Sequence, residues 1–375
     1  MSQGPLAGLR VIEFAGIGPG PFCGMLLADM GADVIVIERA SAAAQVGAGG
    51  MSNRGKRSMV LDLKQSSGLD AALRLLDSAD ALIEGYRPGV MERLGLGPEL
   101  VCRRNARLVY GRVTGWGQSG PLAQAAGHDI NYVALTGALS LSARPGALPT
   151  IPATLIGDMA GGAMFLAFGL VCALLEARTS GQGQVIDAAM VDGVNTMATL
   201  IHSLRAQGVW RDSAEQNFFL HSAPFYDVFE CADGKQISLG AIEPHFYAEL
   251  MRRLGLDEVD TARQYQTRDW PALRVKVAER IKTRSREAWC QLLEGTDACV
   301  APVLSLAEAP SHPHNQARGN FVEVDGQQQP APSPRFSRTP ARVPQASPSI
   351  GEHTRQILLE LGLDGGAKAS NAGPV

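Results

Sequence analysis

Charge is scarce in this sequence and close to balanced. Charged residues make up 19% of the 375, below the ~25% of an average globular protein. The net charge is −3 and the sequence pI is 6.2. No basic field exists to draw in nucleic acid or an anionic membrane, so no nucleic-acid partner is expected. The six cysteines (Cys23, Cys102, Cys172, Cys231, Cys290, Cys299) are scattered without a CxxC spacing. They indicate neither a zinc site nor a disulfide framework; no metal is expected, and a reducing compartment fits. The opening MSQGPLAGLRVIEF runs into a strand-like segment without a signal-peptide core, and the tail carries no Ser-Lys-Leu-type address. The expected location is the cytoplasm. No repeat of 20–50 residues is visible. The single long uncharged run, Met159 to Leu175, lies between Asp158 and Glu176 and is diluted by Gly161, Gly162, Ala163 and Gly169. At the lower limit of the ~17–25 residues that span a bilayer, it reads as a helix buried inside a soluble protein. No membrane span is expected.

What is present is alternation. Leu9–Phe14, Ala32–Ile37, Ser58–Leu63, Ala81–Glu84, Leu108–Val113 and Gln184–Ala188 read as strands, with helical segments between them. The pattern predicts an α/β fold with a parallel, doubly wound, Rossmann-like sheet. Near Ser222 the character changes. Phe225–Cys231 and Lys235–Leu239 flank Asp233-Gly234, a hairpin signal, and Glu243–Leu254 and Arg268–Leu293 are mainly helical. The expected organisation is a large α/β domain over 1–220, completed by a C-terminal segment 330–365, and a smaller α+β domain over 221–310. A connector over 311–330 and a flexible tail over 366–375 are also expected. Eight prolines fall between Pro310 and Pro348; with Phe321 and Phe336 as anchors, they predict an extended stretch packed on the surface. A last amphipathic helix, Glu352–Leu363, places Ile357, Leu358 and Leu361 on one face.

Several segments could carry chemistry. The first strand runs into Gly16-Ile-Gly18-Pro-Gly20-Pro21, with Glu38 ending the second strand. This approaches a dinucleotide fingerprint but puts Pro21 where the third glycine belongs, so a tight strand-to-helix turn is the better reading. Asn53 to Ser58 holds Arg54, Lys56 and Arg57 around Gly55. With Arg39, Arg87 and Arg93 it could grip phosphates, or it could be a solvated loop. Tyr86-Arg87-Pro88-Gly89 lies at a strand's carboxyl end, where open α/β sheets bind ligands. Gly127-His128-Asp129-Ile130-Asn131-Tyr132 enters a helix and brings an imidazole near backbone N–H groups. Asp158 is a natural helix N-cap, where the dipole holds a carboxylate ionised, suited to a base or a nucleophile. Glu243 follows a strand; its plainest role is an N-terminal helix charge.

In these segments the chain resembles the α-methylacyl-CoA racemase branch of the class III CoA-transferase family, over essentially its whole length. The resemblance rests on GIGPGPFCGMLLADMGADV, NRGKRS, EGYRPGVMERLGLGP, TGWGQSGP, GHDINY, GDMAGG, GQGQVIDAAMVDG, ECADG, GAIEP and PRFSRTP, in that order. GHDINY discriminates within the family, because the transferases generally lack the histidine at the position of His128. The resemblance implies a large Rossmann-like domain, a small domain and an interlocked homodimer. It implies a cofactor-independent isomerase acting on 2-methylacyl-CoA thioesters, with coenzyme A as part of the substrate. His128 and Asp158 would remove and return the α-proton on opposite faces, with an enolate between. Glu243 of the other chain would orient His128. Arg39, Arg54, Gly55, Lys56, Arg57, Tyr86, Arg87 and Arg93, with Gly127, Asp129, Asn131 and Tyr132, would contact CoA or substrate. Helices opening at His128 and Asp158 would offer N–H donors to the enolate oxygen.

Two alternatives stay open at this point. One is a CoA-transferase with Asp158 as the acyl-accepting nucleophile; the other is a non-catalytic CoA-binding protein. Thr154 stands where asparagine is expected, and Leu220-His221-Ser222 replaces an expected Asp-Gly-Gly. These departures bear on acyl specificity rather than on the reaction.

Overall fold

Apolar β-branched runs separated by glycine turns assemble into one six-stranded sheet in a computed structural model of the protein. The structure describes residues 4–41, 50–211 and 213–363; the expected tail at 366–375 lies outside them. The chain divides into two units. The first comprises Met1–Thr136, Pro152–Met197 and Gly319–Val375; the second comprises Gly137–Ile151 and Ala198–Arg318. The second unit therefore starts before the expected residue 221, extends to Arg318 and includes an excursion over 137–151.

In the first unit the strands are β1 (Arg10–Phe14), β2 (Asp33–Glu38), β3 (Arg57–Val60), β4 (Ala81–Glu84), β5 (Val109–Thr114) and β6 (Val185–Ala189). All are parallel, in the order β3-β2-β1-β4-β5-β6, the doubly wound arrangement the alternation predicts. Side chains alternate across the sheet. Ile12 and Phe14 of β1 join Ile35, Ile37, Met59, Leu82 and Tyr110 in one buried cluster. It is covered by α2 (Ser66–Asp77) and by the short α3 (Val90–Arg93) and α4 (Pro98–Arg104). Val11, Val34, Ala81, Ile83, Val109 and Val113 face the other way, beneath α1 (Pro19–Asp29).

The uncharged run lies in a helix that opens with ten residues of wide π-turns, Leu155–Met164, and continues as α6 (Phe165–Ser180). This helix also covers the second face, through Leu166, Leu170, Leu174 and Ala177, but it is not buried all round. Met164, Phe168, Val171 and Leu175 form an exposed apolar stripe, with Phe168 at 71%. The helix is long and apolar enough to cross a membrane by length and composition, yet one side packs on the sheet as a core helix does.

Between these elements lies α5 (Asp129–Leu135), and α7 (Met190–Met197) follows β6. The chain breaks at Ala198, and the next helix, α8 (Thr199–Ala206), belongs to the second unit. That unit holds an antiparallel sheet of β7 (Tyr226–Glu230), β8 (Gln236–Gly240) and β9 (Val300–Val303). It also holds α9 (Pro244–Leu254), α10 (Trp270–Ile281), α11 (Arg286–Leu293) and α12 (Pro313–Ala317). Its core packs Phe225, Tyr247, Leu250, Trp270 and Trp289. His221 has φ +60°, the left-handed region where glycine is expected. Its Nδ1 lies 2.9 Å from the fully buried Asp227 carboxylate, which Arg144 and Arg274 also engage.

The expected connector is not featureless. It contains a hairpin, β10 (Phe321–Val324) with β11 (Gln327–Pro330). Phe336 is 40% exposed, and backbone contacts hold the stretch that follows it. Arg342 N–H donates to the Asp29 carbonyl, and Ser347 Oγ to the Gly50 carbonyl. The segment then closes the free edge of β3. The Ser58 amide donates to His353 Nδ1, the His353 amide to the Ser58 carbonyl, and the Val60 amide to Thr354 Oγ1. Helix α13 (Thr354–Glu360) follows, with Ile357 and Leu358 buried. An edge strand covered in this way offers no template to another chain.

Candidate active site

A cleft of about 740 Å³ opens at the carboxyl ends of the strands, as an open parallel sheet favours. Its walls are the turns after β1, β2, β4 and β5, and it spans the point between β1 and β4 where the strand order reverses. His128 and Asp158 line this one cleft, together with Arg39, Tyr86, Arg87, Gly127 and Tyr132.

Each of these residues is placed by a local device. His128 is the N-cap of α5 and is exposed; its amide donates to Asn131 Oδ1 at 3.1 Å. Asn131 thus caps the helix. Gly127 has to be glycine: a Cβ there would sit 2.8 Å from the Tyr132 ring and 2.9 Å from Trp116. These two rings pack edge to face, and Tyr132 donates its hydroxyl hydrogen to the Gly127 carbonyl. The glycine turn after β1 is the tight turn expected. Gly18 has φ +70°, and a Cβ there would lie 3.3 Å from Asp158 Oδ2. The turn therefore makes room for the Asp158 carboxyl.

Asp158 differs from expectation in two respects. The helix starts at Leu155 with Thr154 as its N-cap, so Asp158 lies within the first turn and caps nothing. Nor is its carboxyl held ionised by a helix end. Burial, then the charge of Asp129, raises its pKa from the usual carboxylate range to about 6, against an opposing effect of His128. The Asp158 amide donates to Asp129 Oδ1 at 2.7 Å, so this N–H is not available to an enolate oxygen. Asp129 is only 6% exposed and does not line the cleft.

The basic loop is held in ion pairs of its own. Arg54 is buried, with Nη2 2.6 Å and Nε 3.1 Å from the two Asp29 oxygens and Nη1 on the Pro330 carbonyl. Lys56 and Glu13 are wholly buried at 2.7 Å, and Lys56 also donates to the Pro21 carbonyl, tying the loop beneath the glycine turn. Burial pushes the Glu13 pKa up, partly offset by Lys56. Arg57 bridges Asp33 and Glu360. None of the three, nor Gly55 between them, lines the cleft. A guanidinium so engaged has no fork left for a phosphate. Arg39 and Arg87 remain, both exposed on the cleft wall; Arg93 is exposed outside it. Glu243 is the exposed N-cap of α9 in the second unit.

Sequence reasoning passed over Lys56–Glu13 and Asp129–Asp158, because pairs distant along the chain leave no local pattern. The near-fingerprint residue Glu38 accepts from Ser58 Oγ. The spacing His312-Pro313-His314 is a His-x-His, but His312 Nε2 meets Glu294 Oε1 at 2.7 Å and its Nδ1 accepts the His314 amide. Among the described residues, no three His, Cys, Asp or Glu side chains gather as metal ligands do.

Residues 6–354 match the profile of CoA-transferase family III. The chain belongs to that family. Among its relatives, the α-methylacyl-CoA racemase of Mus musculus is 45% identical over 95% of this chain and 93% of its own length, and that of Homo sapiens is 44% identical over the same shares. The β subunit of succinyl-CoA–L-malate CoA-transferase from Chloroflexus aurantiacus is more distant, at 29% over 95% and 94%. A CAIB/BAIF family protein from Brucella suis shares the fold: TM-score 0.83 at 26% identity, covering 96% of this chain and all of that one.

Proposed function

We propose that this family member is an isomerase that interconverts the (2R) and (2S) epimers of 2-methylacyl-CoA thioesters. The observation that carries the mechanism is that His128 and Asp158 line one cleft. The degree of identity to two racemases supports the substrate class.

A thioester α-hydrogen is a far weaker acid than any side chain, and inversion at C2 needs a base on one face and an acid on the other. A carboxyl whose pKa is raised to about 6 serves as a base or, when protonated, as an acid, and an imidazole across the same cleft has the chemistry to be its partner. In one direction Asp158 takes the proton and protonated His128 returns one; in the other the roles reverse. The enolate between them needs only donors and charge, so the chemistry calls for no cofactor beyond the CoA carried by the substrate. Arg39 and Arg87 on the cleft wall would meet its phosphates.

We read the active form as a homodimer in which Glu243 of the partner orients His128. The exposed stripe Met164–Phe168–Val171–Leu175 supports an interface, since monomers rarely leave such a row uncovered. The test is deuterium wash-in at C2 of each epimer in heavy water, with and without an acceptor acid. Exchange with epimerisation and no acceptor is expected. Acyl transfer to the acid without C2 exchange would overturn the reading in favour of an Asp158 nucleophile.

A further inference from the structure

Asp129 is buried yet only half used. One oxygen, Oδ1, accepts the Asp158 amide at 2.7 Å; the other, Oδ2, is buried without a hydrogen-bond partner. A buried polar atom left bare costs roughly 1–3 kcal/mol, so its retention asks for a reason. The surroundings are built around this carboxylate. A Cβ on Gly157 would come within 2.7 Å of Asp129 Oδ1, so a side chain there would push the carboxylate out of its place. Asp129 is not needed to cap its own helix, because Asn131 bonds the N-cap amide. Its side chain is free to reach across 29 positions of sequence.

We propose that Asp129 is a positioning residue for the proton exchange at Asp158: it fixes the Asp158 backbone through the amide and holds an uncompensated negative charge against the Asp158 carboxyl. The proposal rests on Asp158 acting at C2. Burial is the larger cause of the raised Asp158 pKa, and His128 beside it pulls the other way, towards ionisation and a poorer acid for the return step. Asp129 opposes that pull. The other groups facing Asp158 are few. His128 and Tyr132 come from the α5 segment, and Arg87 acts on Tyr132 from the turn after β4. The glycine turn brings Gly18 and Pro19, and α7 brings Met190 next to Gly162, none of them charged.

Two variants separate the two parts of the role. Asp129→Asn keeps an oxygen for the amide and removes the charge; Asp129→Ala removes both. The Asp158 carboxyl is followed by carbon-13 NMR titration, its resonance assigned by its loss in Asp158→Asn. The midpoint, expected at about 6 in the unaltered protein, should fall by about one pH unit in both variants. Protection of the Asp158 amide from hydrogen exchange should persist in Asp129→Asn and disappear in Asp129→Ala. The acid limb of kcat/KM for epimerisation should follow the NMR midpoint, with kcat reduced more than KM changes in Asp129→Ala. An unmoved midpoint in a folded Asp129→Asn protein overturns the proposal. Absence of C2 exchange in the unaltered protein, with the midpoint still shifting in the variants, overturns the catalytic reading instead and leaves the coupling standing.

Discussion

Arg54 closes on both oxygens of Asp29 with only 3% and 2% of the two side chains exposed. The pair joins the basic loop to the end of α1 and, through the Pro330 carbonyl, to the returning C-terminal segment. Breaking it strands a buried charge, which typically costs 3–5 kcal/mol. We expect Arg54→Met to lower the melting temperature by many degrees and leave the KM of the folded fraction nearly unchanged. Arg87→Ala should do the reverse: no loss of stability and a raised KM for acyl-CoA with turnover largely kept. Thermal melts beside steady-state kinetics on both variants check this, and a raised KM in Arg54→Met would return that residue to the CoA site.

His128 and Asp158 should fail asymmetrically. If each serves one face of C2, His128→Ala abolishes deuterium wash-in from one epimer and leaves slow exchange from the other, and Asp158→Asn shows the opposite preference. Epimerisation should drop in each by more than the ~10²–10⁴-fold credited to one acid–base group. The double variant should be little worse than either single, because the two act as one unit. Near-normal epimerisation by folded His128→Ala would end the two-base reading.

The raised pKa of Asp158 has a sign in stability. The folded state holds this proton up to about pH 6, whereas the unfolded chain releases it near 4. Between those values the folded state binds more protons, so stability from this group declines as pH rises. Asp158→Asn should therefore melt higher than the unaltered protein at pH 8, with the gain shrinking through pH 6 and vanishing below about 4. A gain independent of pH would contradict it.

Thr154 has φ +56° at the head of the Asp158 helix. A β-branched residue is strained there, whereas asparagine visits that region readily. Thr154→Asn should stabilise the protein by about 1 kcal/mol, read as a rise in the denaturant midpoint at constant slope. A lowered midpoint would show that the threonine makes a compensating contact.

The apolar stripe on α6 should lie within a homodimer. Phe168→Asp should shift the light-scattering mass towards one chain and reduce epimerisation with it. An active monomer in the unaltered protein would remove both the interface and the role of Glu243.

Period and punctuation made most of the sheet legible. Strands such as Ala81–Glu84 are short apolar runs bounded by turn residues, and β1 to β6 came close to their observed ends. The hairpin over 321–330 was hidden because Gln327, Gln328 and Gln329 carry no strand pattern. His128 and Asp158 were legible through motif resemblance, and each stands in the cleft. The fate of Arg54 and Lys56 was not, since a cation before a strand looks the same whether it meets solvent or a carboxylate on another element. What decided it was Asp29 and Glu13, 25 and 43 residues away.

The closure of β3 by His353 and Thr354 makes the first unit discontinuous in time as well as in sequence. β3 is synthesised nearly 300 residues before its outer edge is covered. At ~5–20 residues per second that edge waits at least ~15 s on the ribosome. During that interval the second unit is completed while the first still presents unpaired amides, so the first part of the chain to be made is the last to finish folding. A nascent chain arrested near residue 320 should therefore be open to proteolysis around β3 while its second unit is already resistant.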